Sequence, residues 1–200
     1  MMMMTEKEKA KKGWLYDANN DTTLLKEMEY ASGVLFEYNQ LSPLLANERR
    51  EILERLLKRI GKNATIRSPF FCDYGYNIEI GDHFFSNVNL VILDGAKVKI
   101  GNQVFIAPNV GIYTAGHPLD AEQRNSGLEY ALPVSIGNNV WVGAHVAILP
   151  GVSIGDNSVI GAGSVVNKSI PANVLAVGNP CRVIREMTEE DKEKYERGSF

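Results

Sequence analysis

The chain repeats itself every six residues. Ile100, Ile106 and Ile112 share one phase, and Ile136, Val142, Ile148, Ile154, Ile160 and Val166 share it again; every one is β-branched. A small residue usually follows, as at Gly101, Ala107, Gly137, Gly143, Gly155 and Gly161, and a second apolar or small phase runs through Val104, Val110, Val140, Val146, Val152, Ser158 and Ser164. A period of six excludes an amphipathic helix, whose apolar face recurs near 3.6, and plain strand alternation would not single out every third even position. A stacked parallel β-helix satisfies it. Three six-residue rungs make one triangular coil, the β-branched residue points into the prism, and Gly or Asn serves corners where φ turns positive. Parallel stacking pairs each coil's backbone with the coils above and below. Ile80, Ser86 and Ile92 keep the phase earlier in the chain, and extra residues before Ile100 predict a small bulge or corner extension near Asp94 to Lys97. The repeat ends near Val177.

Between Ile112 and Ile136 the pattern fails. Continuing the count lands on Pro118, Arg124 and Tyr130, none suited to a narrow interior, so residues from about Tyr113 to Pro133 must leave the prism. The segment contains "IYTAGHPLD", with a histidine, charges and turn residues. A long excursion from a rigid scaffold with that content marks a site.

The first third has a different grammar. Mixed apolar and charged residues between Thr23 and Tyr38 predict a helix, and Asn47 is expected to cap a second one, "ERREILERLLKRI", with Ile52, Leu53, Leu56, Leu57 and Ile60 on one face and Gly61 as its stop. After Thr188, "TEEDKEKYER" reads as a capped, solvated helix covering the open end of the solenoid. The expected division is a helical segment over residues 1–62, a β-helix over 63–180 with an extended loop at about 113–133, and a tail with a short helix over 181–200.

Composition excludes several classes. A net charge of −3 with no basic stripe gives no case for nucleic acid. No apolar run approaches membrane-spanning length, and "MMMMTEKEKAKK" has no apolar core of a secretion signal. The cysteines Cys72 and Cys181 stand in neither a metal nor a redox spacing, which suits a reducing cytoplasm.

The stretches "CDYGYNIEIG", "FFSNVNL", "IYTAGHPLD", "RNSGLEYALPVSIGNNVWVGAHVAILPGVSIGDNSVIGAGSVV" and "VGNPCRVI", together with the "TEKEK" start, resemble the maltose, galactoside and nodulation-type O-acetyltransferases of the hexapeptide-repeat superfamily. The resemblance implies a left-handed parallel β-helix, an exception to right-handed crossovers, assembled as a homotrimer with acetyl-CoA and a sugar acceptor in clefts between subunits. It implies His117 as catalytic histidine, Asp17, Asp73 and Asn87 as acceptor contacts, and Ala144, Ala162, Asn167, Lys168, Arg182 and Arg185 along the acetyl-CoA groove. Two positions depart from the pattern. A second acceptor-binding carboxylate of galactoside enzymes falls on Gly95, which argues for a maltose- or glucose-type acceptor, and Asn167 stands where threonine is common.

Acetyl transfer to a sugar hydroxyl needs a base, and an imidazole is suited to it at cellular pH. Pro118 restricts the backbone of His117 to extended conformations. Glu129, on the returning arm of the loop, is placed to accept the second imidazole N–H and to stabilise the imidazolium. The backbone N–H of Ala144, in the tight "VWVGAHV" corner, is the candidate oxyanion donor. Lys168, Arg182 and Arg185 suit the phosphates of coenzyme A. The aromatic residues of "FFCDYGY" and Trp141 suit a sugar ring, the core or a subunit interface equally. No metal is expected. Two competing readings are a zinc-dependent, carbonic-anhydrase-like β-helix enzyme using His83, His117 and His145, and a noncatalytic binding solenoid. The histidine separations fit the first poorly, because ligands on stacked strands should be near-multiples of about eighteen residues apart.

Overall fold

A computed structural model describes residues 4–193. Its body is a three-sided parallel β-helix whose faces are sheets of five, five and seven strands. The first face carries Arg59–Ile60, Ile78–Ile80, Val98–Ile100, Val134–Ile136 and Ser153–Ile154 in parallel register, Ile60 over Ile80, Ile100, Ile136 and Ile154. The second runs through Phe85–Ser86, Phe105–Ile106, Trp141–Val142 and Val159–Ile160. The third runs through Phe70–Cys72, Leu90–Leu93, Gly111–Tyr113, Ala147–Ile148 and Val165–Val166.

The six-residue phase is the interior. Ile80, Ile92, Ile100, Ile106, Ile112, Ile136, Val142, Ile148, Ile154, Ile160 and Val166 are all buried, as are the second-phase residues from Val104 to Val152. Each such side chain contributes roughly 1.5–3 kcal/mol by leaving water. Ser86, Ser158 and Ser164 are buried too, and their hydroxyls donate to the carbonyls of Asn87, Pro171 and Gly161. The prism therefore admits small polar residues where a backbone acceptor lies within reach.

One corner explains the small residue after each inward one. A Cβ on Gly81 would stand 2.5 Å from the backbone of Gly101, so close stacking, rather than a positive φ, requires glycine there. The next residue supplies a side-chain ladder. Asp82 accepts from the Lys62 N–H, Asn102 from Asp82, Asn138 from Asn102 and Asp156 from Asn138, at 2.7–2.9 Å. The left-handed positions on this corner are Asn63, His83, Gln103, Asn139, Asn157 and Asn173. Asn139, Asn157 and Asn173 join in a second ladder, each amide donating 2.9 Å to the next.

These ladders measure the coils. Partners are 20 residues apart at Lys62–Asp82 and at Asp82–Asn102, 36 apart at Asn102–Asn138, 18 apart at Asn138–Asp156 and 16 apart at Asn157–Asn173. The surplus leaves at one corner only, between the third face and the first. The extension near Asp94 to Lys97 belongs there, and so does the excursion after Tyr113. Its neck is closed by the Leu132 N–H donating 2.8 Å to the carbonyl of buried Thr114.

Three helices precede the solenoid. Helix α1 (Glu6–Lys11) starts with a capping box: Glu8 N–H donates to the Thr5 hydroxyl and Thr5 N–H to the Glu8 carboxylate. Helix α2 (Thr22–Gln40) is capped by Asp21 and α3 spans Ala46–Leu56. Asn47 therefore lies inside α3 and caps nothing, because the helix begins one residue earlier without a side-chain cap. Gly61 does not stop it either. The chain is extended from Leu57, and Ile60 already belongs to the first strand. Both helices lay apolar faces, including Val34, Leu35, Ile52, Leu53 and Leu56, on the first coil and extend its core. Arg49 is buried with them, donating to the Tyr38 and Leu41 carbonyls at 3.1 Å with its guanidinium over the Tyr38 ring. A cation at the negative end of α2 is favourable there.

At the other end Arg182–Glu186 folds back antiparallel on Val174–Val177. Glu190–Glu193 is helical, and the rest of the expected C-terminal helix lies outside the described residues.

Ile154→Asp should lower stability by ~3–5 kcal/mol, since it places a carboxylate in the prism without a partner. Asp156→Asn, two residues on and exposed, should change it little. Thermal melts of the two variants check the inward phase.

Candidate active site

The excursion is a small sheet rather than a structureless loop. Ala115–Gly116 and Leu128–Ala131 pair antiparallel, and Tyr16–Asp17 from the N-terminal segment adds a third strand, with Tyr16 opposite Glu129 and Asp17 opposite Leu128. Helix α4 (Ala121–Asn125), capped by Asp120, closes the tip. Arg124 donates to the carbonyls of Pro118 and Leu119 at 3.2 and 3.1 Å, which fixes the turn following His117. The two-residue strand at Tyr16 carries no periodic signal, so sequence reasoning missed it.

His117 stands half exposed on this platform. Its Nδ1 lies 3.1 Å from the Leu128 carbonyl oxygen. A carbonyl only accepts, so Nδ1 carries the hydrogen and Nε2 keeps its lone pair. The orienting acceptor is thus the Leu128 backbone, and not Glu129 as expected. Glu129 faces the other nitrogen, its Oε1 3.9 Å from Nε2. That separation is too long for a hydrogen bond. Glu129 is itself held, accepting 3.1 Å from the Tyr16 hydroxyl and 3.3 Å from Asn19 Nδ2.

The residues expected to contact the acceptor divide. Asp17 lies on the added strand, its Oδ1 accepting from the Asn20 N–H at 2.9 Å and from Asn20 Nδ2 at 3.0 Å. Asp73 lies where the third face turns into the first, and its N–H donates 3.1 Å to Asp94. Asp94, missed in the sequence, is fully buried and also accepts from the Tyr74 and Asn77 N–H groups. Burial pushes the Asp94 carboxyl up to about 6 against the lowering effect of those donors. Burial, with repulsion from Asp94 and Glu129, pushes Asp73 up to about 7. Asn87 is elsewhere, on the corner between the second and third faces, where its Oδ1 accepts from the Val88 N–H at 2.9 Å.

Ala144 and Ala162 share that second corner on adjacent coils, with the Gly163 N–H donating 2.8 Å to the Ala144 carbonyl. The N–H groups flanking Ala144 are committed, Gly143 to the Ile160 carbonyl and His145 to that of Pro108, while among the described residues none accepts from the Ala144 N–H. Asn167 and Lys168 follow the last strand of the third face, and Arg182 Nη1 donates 3.3 Å to Asn167. Arg185 is engaged by Asp191 through two bonds of 2.8 and 2.6 Å.

The three histidines sit on three different edges. His83 takes a left-handed position on the corner with the asparagine ladder, and His145 takes one on the Ala144 corner, where its Nε2 is 3.4 Å from Asn109 Nδ2. Both are corner residues of the scaffold, so within one chain the three lie apart. Among the described residues no three His, Cys, Asp or Glu side chains are grouped to hold a metal.

A family model described as the bacterial transferase hexapeptide (six repeats) matches residues 133–168, and the maltose acetyltransferase hexapeptide capping motif matches residues 9–61, the stretch that includes α2 and α3. The galactoside O-acetyltransferase of Escherichia coli K12 is 49% identical over 162 residues, covering 81% of this chain and 80% of that protein. The chain belongs to the hexapeptide-repeat O-acetyltransferases. A maltose O-acetyltransferase structure from Clostridium difficile 630 superposes on the enzyme with a TM-score of 0.90 at 52% identity, covering 93% of this chain and 99% of that one. A galactoside acetyltransferase solved with coenzyme A gives 0.91 at 44%, covering 95% and 94%. The enzyme is an acyltransferase with acetyl-CoA as donor, and no helix among its described residues is long and apolar enough to cross a membrane.

Because Asp73 and Asp94 hold protons in the folded state above the unfolded carboxyl value near 3.9, folding binds protons between about pH 4 and 7, and stability falls as pH rises through that window. Asp73→Asn removes one of the two groups. Its melting temperature should exceed the parent's at pH 8, by roughly 2–4 °C for each kcal/mol released, and match it near pH 4.

Proposed function

We propose that this acyltransferase moves the acetyl group of acetyl-CoA directly to a hydroxyl of a sugar, of the maltose or glucose type, with His117 as general base. The observation that carries the reading is the Leu128 carbonyl on Nδ1, which leaves the Nε2 lone pair to accept a proton. Nε2 takes the hydroxyl proton as the sugar oxygen bonds to the thioester carbon. The oxyanion collects on the carbonyl oxygen, for which the Ala144 N–H is the donor. Collapse breaks the carbon–sulfur bond, and the leaving thiolate takes the proton back from the imidazolium, so the enzyme returns to its starting state. Glu129 favours the imidazolium in between. Asp17, Asp73 and Asn87 bind acceptor hydroxyls, while Ala162, Asn167, Lys168, Arg182 and Arg185 lie along the coenzyme.

A homotrimer supports this division of labour. His117, Asp17 and Asp73 occupy one edge of the prism and Asn87, Ala144 and Ala162 another, so a neighbouring copy completes each site. The outward residues favour the same assembly. The first face presents Arg59, Glu79, Lys99, Ser135 and Ser153, whereas the second presents Phe85, Phe105, Trp141 and Val159, and the third Phe71, Val91, Gly111, Ala147 and Val165. Phe105 and Trp141 are each 54% exposed in the single chain. Two different apolar faces meeting at an edge suit a heterologous ring, in which each copy uses both.

His117→Ala should lower kcat by about 10²–10⁴ with acetyl-CoA affinity nearly unchanged and stability within ~0.5 kcal/mol. Steady-state kinetics with a panel of sugars and released-thiol detection tests the base and the acceptor together; parental turnover by the variant defeats the reading. Charging the second face, as in Phe105→Lys with Trp141→Lys, should shift light scattering from a trimer to a monomer and abolish turnover while each coil stays folded. An active monomer would refute the shared site.

A further inference from the structure

Tyr16 has no part in the chemistry described so far, yet three features single it out. Its side chain is 1% exposed, although its strand lies at the rim of the molecule. Its hydroxyl donates 3.1 Å to Glu129 Oε2, while the other carboxylate oxygen, Oε1, is the one 3.9 Å from His117 Nε2. Finally, the space it fills is reserved for it. A Cβ on Gly95 would stand 2.7 Å from the Tyr16 hydroxyl oxygen, so glycine at that corner is what lets the phenol reach Glu129.

We propose that Tyr16 is a positioning residue for acetyl transfer: by donating to Glu129 Oε2, it holds Oε1 against His117 Nε2, and Gly95 is the clearance that permits it. The proposal rests on His117 being the base. A glutamate with three side-chain torsions otherwise samples many rotamers, most of them carrying the charge away from the ring. Asn19 helps by donating to Oε1 and, at 2.8 Å, to the Gly127 carbonyl, but it lies on the exposed rim, whereas the phenol is buried. Burial and the Glu129 charge raise the Tyr16 hydroxyl well above the usual tyrosine range, so it remains a neutral donor across the working pH. Among the acids nearby, Asp73 at the coil corner is close enough for its charge to interact with that of Glu129.

Tyr16→Phe keeps the ring and removes one hydroxyl. It should lower kcat about tenfold, with the KM for acetyl-CoA and the melting temperature near the parent's. In a Glu129→Gln background the same substitution should cost nothing further, because the charge it positions is gone. Gly95→Ala should reproduce the loss by displacing the hydroxyl without altering Tyr16 or Glu129, and should add nothing to Tyr16→Phe. Equal multiplicative losses from Tyr16→Phe in both backgrounds, or parental kcat for it, overturn the proposal. A fall in melting temperature with kcat per folded molecule unchanged assigns Tyr16 to the scaffold and overturns it as well. His117→Ala measured alongside separates the two readings: if it keeps the parental rate the base is misassigned, whereas if it fails while Tyr16→Phe turns over normally, only the positioning role falls.

Discussion

In this fold each strand finds its hydrogen-bond partners only on the coil before and the coil after. A parallel coil cannot lengthen at one point without breaking the register of everything above it, unless the extra residues are expelled where no ladder runs. The Asp82, Asn102, Asn138 and Asp156 side chains show how strictly the register is kept, since the step from Asn102 to Asn138 has the geometry of its neighbours although it spans twice as many residues as the step from Asn138 to Asp156. All surplus chain is driven to one edge, and the excursion that carries His117 leaves there.

Expulsion alone would leave a flexible flap. The segment becomes a platform because the N-terminal chain returns to it as a third strand, so that His117 is held by a backbone carbonyl and Glu129 by a buried phenol. Both supports belong to elements whose positions the coil fixes. The placement of His117 is tied to the stack by way of Thr114 and Leu132 at the neck.

The inward phase was readable because burial in a narrow prism leaves so few alternatives. Ile100 to Val166 carry it plainly, and the failure of the count at Pro118 locates the excursion. Helix ends were less readable. Asn47 and Gly61 have the chemistry of caps, but the helix face had to meet the first coil, and packing of Leu53 and Leu56 overrode the local preference. What supports the site could not be read at all. Tyr16 pairs with Glu129 across more than a hundred residues, and the Leu128 carbonyl has no side-chain identity to betray it. The outer faces were available in principle, for Phe85, Phe105 and Trp141 fall in register with the steps from Ile80 to Ile100 and from Ile100 to Ile136, but the sequence reading followed only the inward phase.

The strand at Arg182–Glu186 has a further meaning. An open stack of parallel coils ends in bare peptide groups to which the first coil of another molecule could add, and repetition of that step would build a fibre of indefinite length. Running this last strand in the opposite direction on Val174–Val177 breaks the polarity on which such propagation depends, while the helical cap guards the opposite end. The molecule thus carries the repeat of a polymer and the termini of a finite object.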